Sequence, residues 1–305
     1  MLPTLYISPD ALHMKNLFIS NTQFEAEWGS LHPASSFLDS FSWHPLYWQL
    51  QYLSFFIADE TRIPFISHPP DRDTLRKLHA FNPYLKEYIC FDKAPTATRV
   101  KSLGHSALLD AWSKKNELIY DRSFSSLTPY VSKAFVFHNT PRLKGSAYIE
   151  NQEKWKQVCH TSSLPFLTKP LFGHAGRGVR HYFAPEDFDH IPTFPCIKEP
   201  FVDKVSEFSS HFDITPTHIS YLGTTWQQTN QKGALLSISA QKDNAPLASW
   251  IAKQQPHAYE LAEKLQERGV FSTVSIDAML YKENNQLALY PIVEMNLRIE
   301  ILGDS

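Results

Sequence analysis

The chain has 305 residues, room for about two domains at ~150 residues each and enough length for a sizeable buried core. Its 29 Lys+Arg against 31 Asp+Glu leave a formal charge of -2, which offers no electrostatic footprint for nucleic acid. The 43% hydrophobic and 13% aromatic content excludes a disordered chain. Ten Gly is about half the usual ~7%, yet Gly173, Gly176 and Gly178 fall within one short stretch.

The N-terminal segment has no basic start and no continuous apolar stretch, so it does not read as a signal peptide. Ser40 to Ala58 carries no charge, but Gln49, Gln51, His44 and Pro45 suit hydrocarbon poorly. Leu46, Leu50, Leu53 and Ile57 recur at helical spacing and predict an amphipathic helix from Pro45 to Asp59. Cys90, Cys159 and Cys196 are odd in number and far apart, so neither a disulfide framework nor a zinc site is expected. A cytoplasmic location follows as the expectation.

In chain order, the first part alternates strands with helices, the pattern of a small parallel α/β sheet. Strands are predicted at 16–20, 63–67, 88–91 and 118–120, with helices at 45–59, 72–81 and 105–115. No GxGxxG occurs, so there is no dinucleotide fingerprint. A helix at 126–137 follows, then a Thr/Pro/Gly-rich loop at 140–146 and a helix at 152–159. Strand 166–169 runs into the Gly cluster, and 196–198 is another short strand. Strands at 207–214 and 217–223, a helix at 256–268, and a long hairpin of 273–281 with 287–301 complete the reading. The expected domains are 1–122, an N-terminal α/β domain, then 123–195 and 196–305, two α+β subdomains.

Two segments carry chemistry. Lys169 ends a strand just before Gly173-His174-Ala175-Gly176-Arg177-Gly178. Gly lets backbone N–H groups wrap anionic oxygens where a Cβ would collide, and a nearby Lys supplies a compact charge for phosphate. Taken alone, the loop reads better as a tight hairpin turn with three Gly, and the order is wrong for a Walker A loop. The second segment, Val293 to Ile301, alternates apolar and polar residues and puts Glu294, Asn296, Arg298 and Glu300 on one strand face. That is the pattern of an ordinary half-buried strand, but Glu and Asn are also hard oxygen ligands suited to Mg²⁺, and Arg can stabilise an oxyanion. Asp277, on the expected partner strand, would face Glu294 and Asn296.

Together these residues resemble the ATP-grasp superfamily, from about Ser132 to the C-terminus. The fold class implied is α/β: an N-terminal parallel α/β domain followed by two ATP-grasp α+β subdomains with nucleotide between them. The resemblance implies that Lys133 and Lys169 contact ATP phosphates, with Gly173, His174, Gly176 and Gly178 as a lid over them. Glu199, Phe201 and Val202 match the adenine hinge, and Glu207 the ribose acid. Asp277, Glu294 and Asn296 match the metal ligands. Glu-Met-Asn-x-Arg-Ile is close to biotin carboxylase, whose Arg acts on the reacting carboxyl group; Arg298 would take that role. The cofactors implied are ATP and Mg²⁺, with Mn²⁺ as a substitute.

The activity implied is that of an ADP-forming ligase, in which a small carboxylate is activated as an acyl phosphate and captured by an amine. The partners are then small-molecule carboxylate and amine substrates, without nucleic acid or membrane; a homo-oligomer is left open. There are departures. Leu302 stands where biotin carboxylase has a further Glu, and no biotinyl Met-Lys-Met motif occurs, so carboxylation of biotin is not expected. The chain stops seven residues after Arg298, which favours the alternative of a non-catalytic ATP-binding protein. A kinase of the same fold is the third reading.

Overall fold

A computed structural model of the chain describes residues 16–24, 27, 36–42, 45–56, 58, 62–82, 85, 88–90, 99–120, 124–173, 176, 178–229, 235–240 and 245–297. The chain divides into two compact units, Met1–Leu127 and Thr128–Ser305.

The first unit holds a five-stranded sheet in the order β3-β2-β1-β4-β5. Its strands are β1 (Asn16–Ile19), β2 (Arg62–Ile66), β3 (Ile89–Cys90), β4 (Arg99–Ser102) and β5 (Ile119–Tyr120), all paired in parallel. Parallel sheets need cover on both faces. On β2, Ile63 and Phe65 join one core cluster with Leu17, Ile19 and Val100, while Ile66 joins another with Leu75 and Leu78.

Among the described residues, four helices accompany this sheet: α1 (Phe37–Ser40), α2 (Pro45–Leu50), α3 (Arg72–Phe81) and α4 (Ala107–Lys115). Asp71 caps α3 by accepting from the Asp73 and Thr74 N–H groups, and Ser106 caps α4 by accepting from Leu109 N–H. The helix expected over 45–59 is shorter than that: α2 gives way to a 3-10 turn at Gln51–Phe55. There Gln51 donates to the Trp48 carbonyl and Ser54 to the Gln51 carbonyl, side-chain bonds that compete with the α-helical ladder.

The helix expected over 126–137 is two, α5 (Phe124–Val131) and α6 (Lys133–Asn139). They are separated by Ser132, which leaves the helical region and caps α6 through its Oγ. In the second unit β6 (Ala147–Ile149), β7 (Phe166–Pro170), β8 (Arg180–Tyr182) and β9 (Cys196–Pro200) form an antiparallel sheet ordered β6-β9-β7-β8. This sheet draws strands from both sides of the expected 195/196 boundary. Helix α7 (Gln152–Thr161) packs Trp155 and Val158 against Phe166, Tyr182 and Cys196.

The larger sheet is β10 (Asp203–Ile214), β11 (Ile219–Thr229), β12 (Leu235–Ala240), β13 (Thr273–Glu283) and β14 (Gln286–Leu297), ordered β12-β11-β10-β13-β14 and antiparallel throughout. Helix α8 runs from Ala245 to Glu267 with Pro256 inside it, so the expectation of a helix starting at Pro256 is corrected. Leu247, Trp250 and Ile251, from its first half, pack on Phe208, Trp226, Ala278 and Leu280 of the sheet, and this burial outweighs the bond lost at Pro256.

The β13–β14 hairpin closes at Asn284 and Asn285, with φ of 50 and 63, as a two-residue turn requires. Its ladder shifts register between Asp277, opposite Glu294, and Met279, opposite Tyr290. That interval holds Ala278 on β13 but Pro291, Ile292 and Val293 on β14. Pro291, which has no N–H for the ladder, is thereby accommodated. Residues 298–301, expected to extend β14, lie outside the described residues. Among the described residues no helix is long and apolar enough to cross a membrane.

Candidate functional site

Lys169 sits on β7, one residue before Pro170, and period two turns its side chain to the face that Leu167 and Glu199 share across the β7–β9 ladder. Its Nζ lies 2.6 Å from Glu199 Oε2, and the other oxygen, Oε1, accepts from the Tyr290 hydroxyl at 2.9 Å. Burial alone pulls the Lys169 ammonium down, but Glu199, joined by Glu294 and Glu207, outweighs it and holds the pKa above the ordinary lysine value. Lys169 therefore stays a cation, in a field set by three acids of one site.

Lys133 is the first residue of α6. Its backbone N–H donates to the Leu171 carbonyl at 2.9 Å, which anchors the helix start to the segment following β7. Its Nζ donates to Glu294 Oε1 at 2.8 Å and to the Gly173 carbonyl at 2.9 Å. The ammonium thus bridges β14 and the first residue of the Gly cluster. Gly176 and Gly178 have φ of 72 and 77, a region open to Gly at little cost. A Cβ on Gly178 would lie 3.0 Å from Pro170 Cγ. His174, expected in the lid, and its neighbours Ala175 and Arg177 lie outside the described residues.

Asp277 and Glu294 are direct cross-strand partners, and Asn296 faces Ser275 two pairs further on. Glu294 is paired with Lys133, whereas Asp277 Oδ1 accepts from Ser209 Oγ and Oδ2 from Asn296 Nδ2 at 3.2 Å. Ser209 in turn accepts from Gln227 Nε2 at 2.6 Å, so a polar row crosses β11, β10, β13 and β14. Asn296 turns its amide nitrogen to Asp277.

Among the described residues no three His, Cys, Asp or Glu side chains gather as a ready metal cage. Two carboxylates and one amide oxygen are too few to enclose an ion, but all are hard donors. That set fits Mg²⁺, which keeps waters and completes its shell with phosphate oxygens. Arg298 lies outside the described residues.

The remaining expected residues lie around this group. Glu207 on β10 pairs with Lys204 at 2.8 Å. Phe201, in the loop between β9 and β10, is 42% exposed and packs edge-on against Phe183 with ring centroids 5.3 Å apart. Its N–H donates to the Pro165 carbonyl, so this particular hinge N–H is already committed. Val202 packs with Leu143, Met279, Tyr281 and Tyr290. Reasoning from sequence missed Tyr290, Ser209 and Gln227. Ser209 was accessible in principle, two residues from Glu207 on the same strand face.

No family model matches the chain and no curated protein matches it in sequence. Solved structures do match in fold. The N5-carboxyaminoimidazole synthetase from Staphylococcus aureus, complexed with ADP, aligns at TM-score 0.54 and 12% identity over 94% of this chain and 71% of that one. An N5-carboxyaminoimidazole ribonucleotide synthetase in its ADP complex aligns at 0.52 and 14%, over 79% and 65%. A biotin carboxylase β-γ-ATP complex from Campylobacter jejuni aligns at 0.50 and 13%, over 67% and 49%. The chain has the ATP-grasp fold, and its mixture of a parallel sheet with antiparallel sheets agrees with that architecture.

Proposed function

We propose that this chain binds Mg-ATP in its second unit and acts as an ADP-forming ligase that joins a small carboxylate to an amine. The observation that carries the reading is the convergence of Lys133 and Lys169, from different elements, on acids of β9 and β14 beside Asp277 and Asn296. Cations for a polyphosphate and hard oxygens for a divalent ion occur in one place, and each is held by the other. The ATP-grasp fold and the ADP and ATP complexes of the structures it resembles support the same reading.

In this proposal Lys133 leaves Glu294, and Lys169, still held by Glu199, turns its other protons to phosphate oxygens, with the backbone at Gly176 and Gly178 over them. Glu294, so freed, would hold Mg²⁺ together with Asp277 and Asn296, and the ion would supply charge neutralisation for the phosphates. A substrate carboxylate oxygen attacks the γ-phosphorus, the bond to the β–γ bridging oxygen breaks, and ADP leaves. The amine adds to the acyl carbon, phosphate departs, and the amine loses a proton. The protein's part is positioning and charge neutralisation, with Arg298 assigned to the tetrahedral oxyanion.

Two measurements test this. Lys169→Ala is expected to weaken ATP binding by about ten- to a hundredfold in calorimetry, the scale of a lost charge-assisted contact; unchanged affinity would remove Lys169 from the site. A screen of ADP release with pools of amino acids and small carboxylates, with hydroxylamine as trap, is expected to yield a hydroxamate. A stable phosphoester would indicate a kinase instead, and ATP binding without ADP release a non-catalytic binder.

A further inference from the structure

We infer that Tyr290 is a positioning residue for the phosphate-binding lysine: its hydroxyl fixes the Glu199 carboxylate, and the carboxylate in turn fixes Lys169. The inference rests on the nucleotide reading above. Tyr290 lies on β14, is 4% exposed, and donates to Glu199 Oε1 at 2.9 Å. Lys169 Nζ takes Oε2 at 2.6 Å. The link therefore runs from the large sheet through one carboxylate to the ammonium on β7.

Three features make the hydroxyl more than packing. First, Tyr290 is the sole hydroxyl-bearing residue of β14, in the run Leu287 to Val293, and a Phe would fill the same space beside Leu143, Met279 and Tyr281. Second, Glu199 is 7% exposed, and a buried carboxylate needs a donor on each oxygen. Third, burial together with Glu199 pushes the Tyr290 phenol well above its ordinary pKa, so it remains a proton donor at every physiological pH. With Oε1 held, the carboxylate meets Lys169 through one oxygen only, and the ammonium keeps its other protons for a phosphate. Without the hydroxyl, Lys169 is free to draw both carboxylate oxygens onto itself and withdraw from the phosphate.

The test uses the full chain and two probes, ADP and adenosine, titrated against wild type and Tyr290→Phe. Positioning of Lys169 acts on the phosphate part alone. ADP affinity is expected to fall by about five- to tenfold, the scale of one weakened charge-assisted bond, with adenosine affinity unchanged. In a Glu199→Gln background the same Tyr290→Phe change is expected to have little further effect on ADP. Unchanged ADP affinity, equal losses for ADP and adenosine, or a full loss persisting in the Glu199→Gln background would each overturn the inference. Should Tyr290→Phe not fold, Glu199→Gln alone weakens the link from its acceptor side: an ADP-selective loss supports the inference and an equal loss overturns it. Wild type that binds neither probe would overturn the nucleotide reading itself.

Discussion

Lys133→Met tests whether the resting ion pairs stand in for the bound ligand. Lys133 Nζ lies 2.8 Å from Glu294 Oε1, with the two side chains 13% and 28% exposed. A divalent cation that takes Glu294 in the absence of nucleotide must break this pair and then face the ammonium. Exposed pairs are worth about 0–1 kcal/mol, and breaking a fully buried one costs about 3–5 kcal/mol. This pair lies between, at about 2 kcal/mol, which converts to roughly thirtyfold in affinity. Methionine keeps much of the length and removes the charge. The nucleotide-free variant is therefore expected to bind Mn²⁺ about ten- to thirtyfold more tightly than wild type, measured from the free-ion signal in electron paramagnetic resonance. Calorimetry should show the opposite for ADP, which loses a phosphate contact. Equal Mn²⁺ affinity in the two proteins would refute the reasoning, because Glu294 would then not be the group that Lys133 withholds from the metal.

Two further predictions concern stability. Burial pushes the Glu27 carboxyl from 4.5 up to about 7, against the lowering effect of Ser106. The folded state then binds more protons than the unfolded one between those values, so stability falls as pH rises through that window. The shift corresponds to at most about 3 kcal/mol; urea unfolding at pH 5 and 8 should show Glu27→Gln abolishing the slope, and a slope that persists would assign it to another group. Gly178→Ala should lower the melting temperature more than Gly176→Ala. Both pay about 1–2 kcal/mol for the left-handed backbone, but a Cβ on Gly178 meets Pro170 Cγ at 3.0 Å, whereas among the described residues nothing lies within 4 Å of a Cβ placed on Gly176. Equal melting temperatures would show that Pro170 gives way freely.

The parts of this fold that could be read in advance are those with a sustained period. The alternation in β13 and β14 puts Asp277, Glu294 and Asn296 together on sequence grounds, and the ladder has that adjacency. Strands β4, β6 and β8 went unread because three or four residues carry too little pattern to stand out from a loop. Pro256 was misread as a helix start, since a proline at that position is a frequent signal and only the packing of Trp250 and Ile251 on the sheet shows the helix running through it. The pairings of Lys133 with Glu294 and of Tyr290 with Glu199 join residues 161 and 91 positions apart. No local pattern encodes which lysine meets which acid. That information lies in how β14 is placed against α6 and β9.

The register shift in β14 has a consequence for which length changes the chain can tolerate. Between Tyr290 and Glu294 this strand carries two residues more than its partner carries between Met279 and Asp277. Because the excess is even, Tyr290 and Glu294 keep the same side of the sheet, one serving Glu199 and the other Lys133. Loss or gain of a single residue among Pro291, Ile292 and Val293 would turn one end of the strand over relative to the other. Either the hydroxyl or the carboxylate would then point into the packing under α8. Removal of two residues would preserve both faces. In this segment the reading frame of the site is therefore counted in pairs.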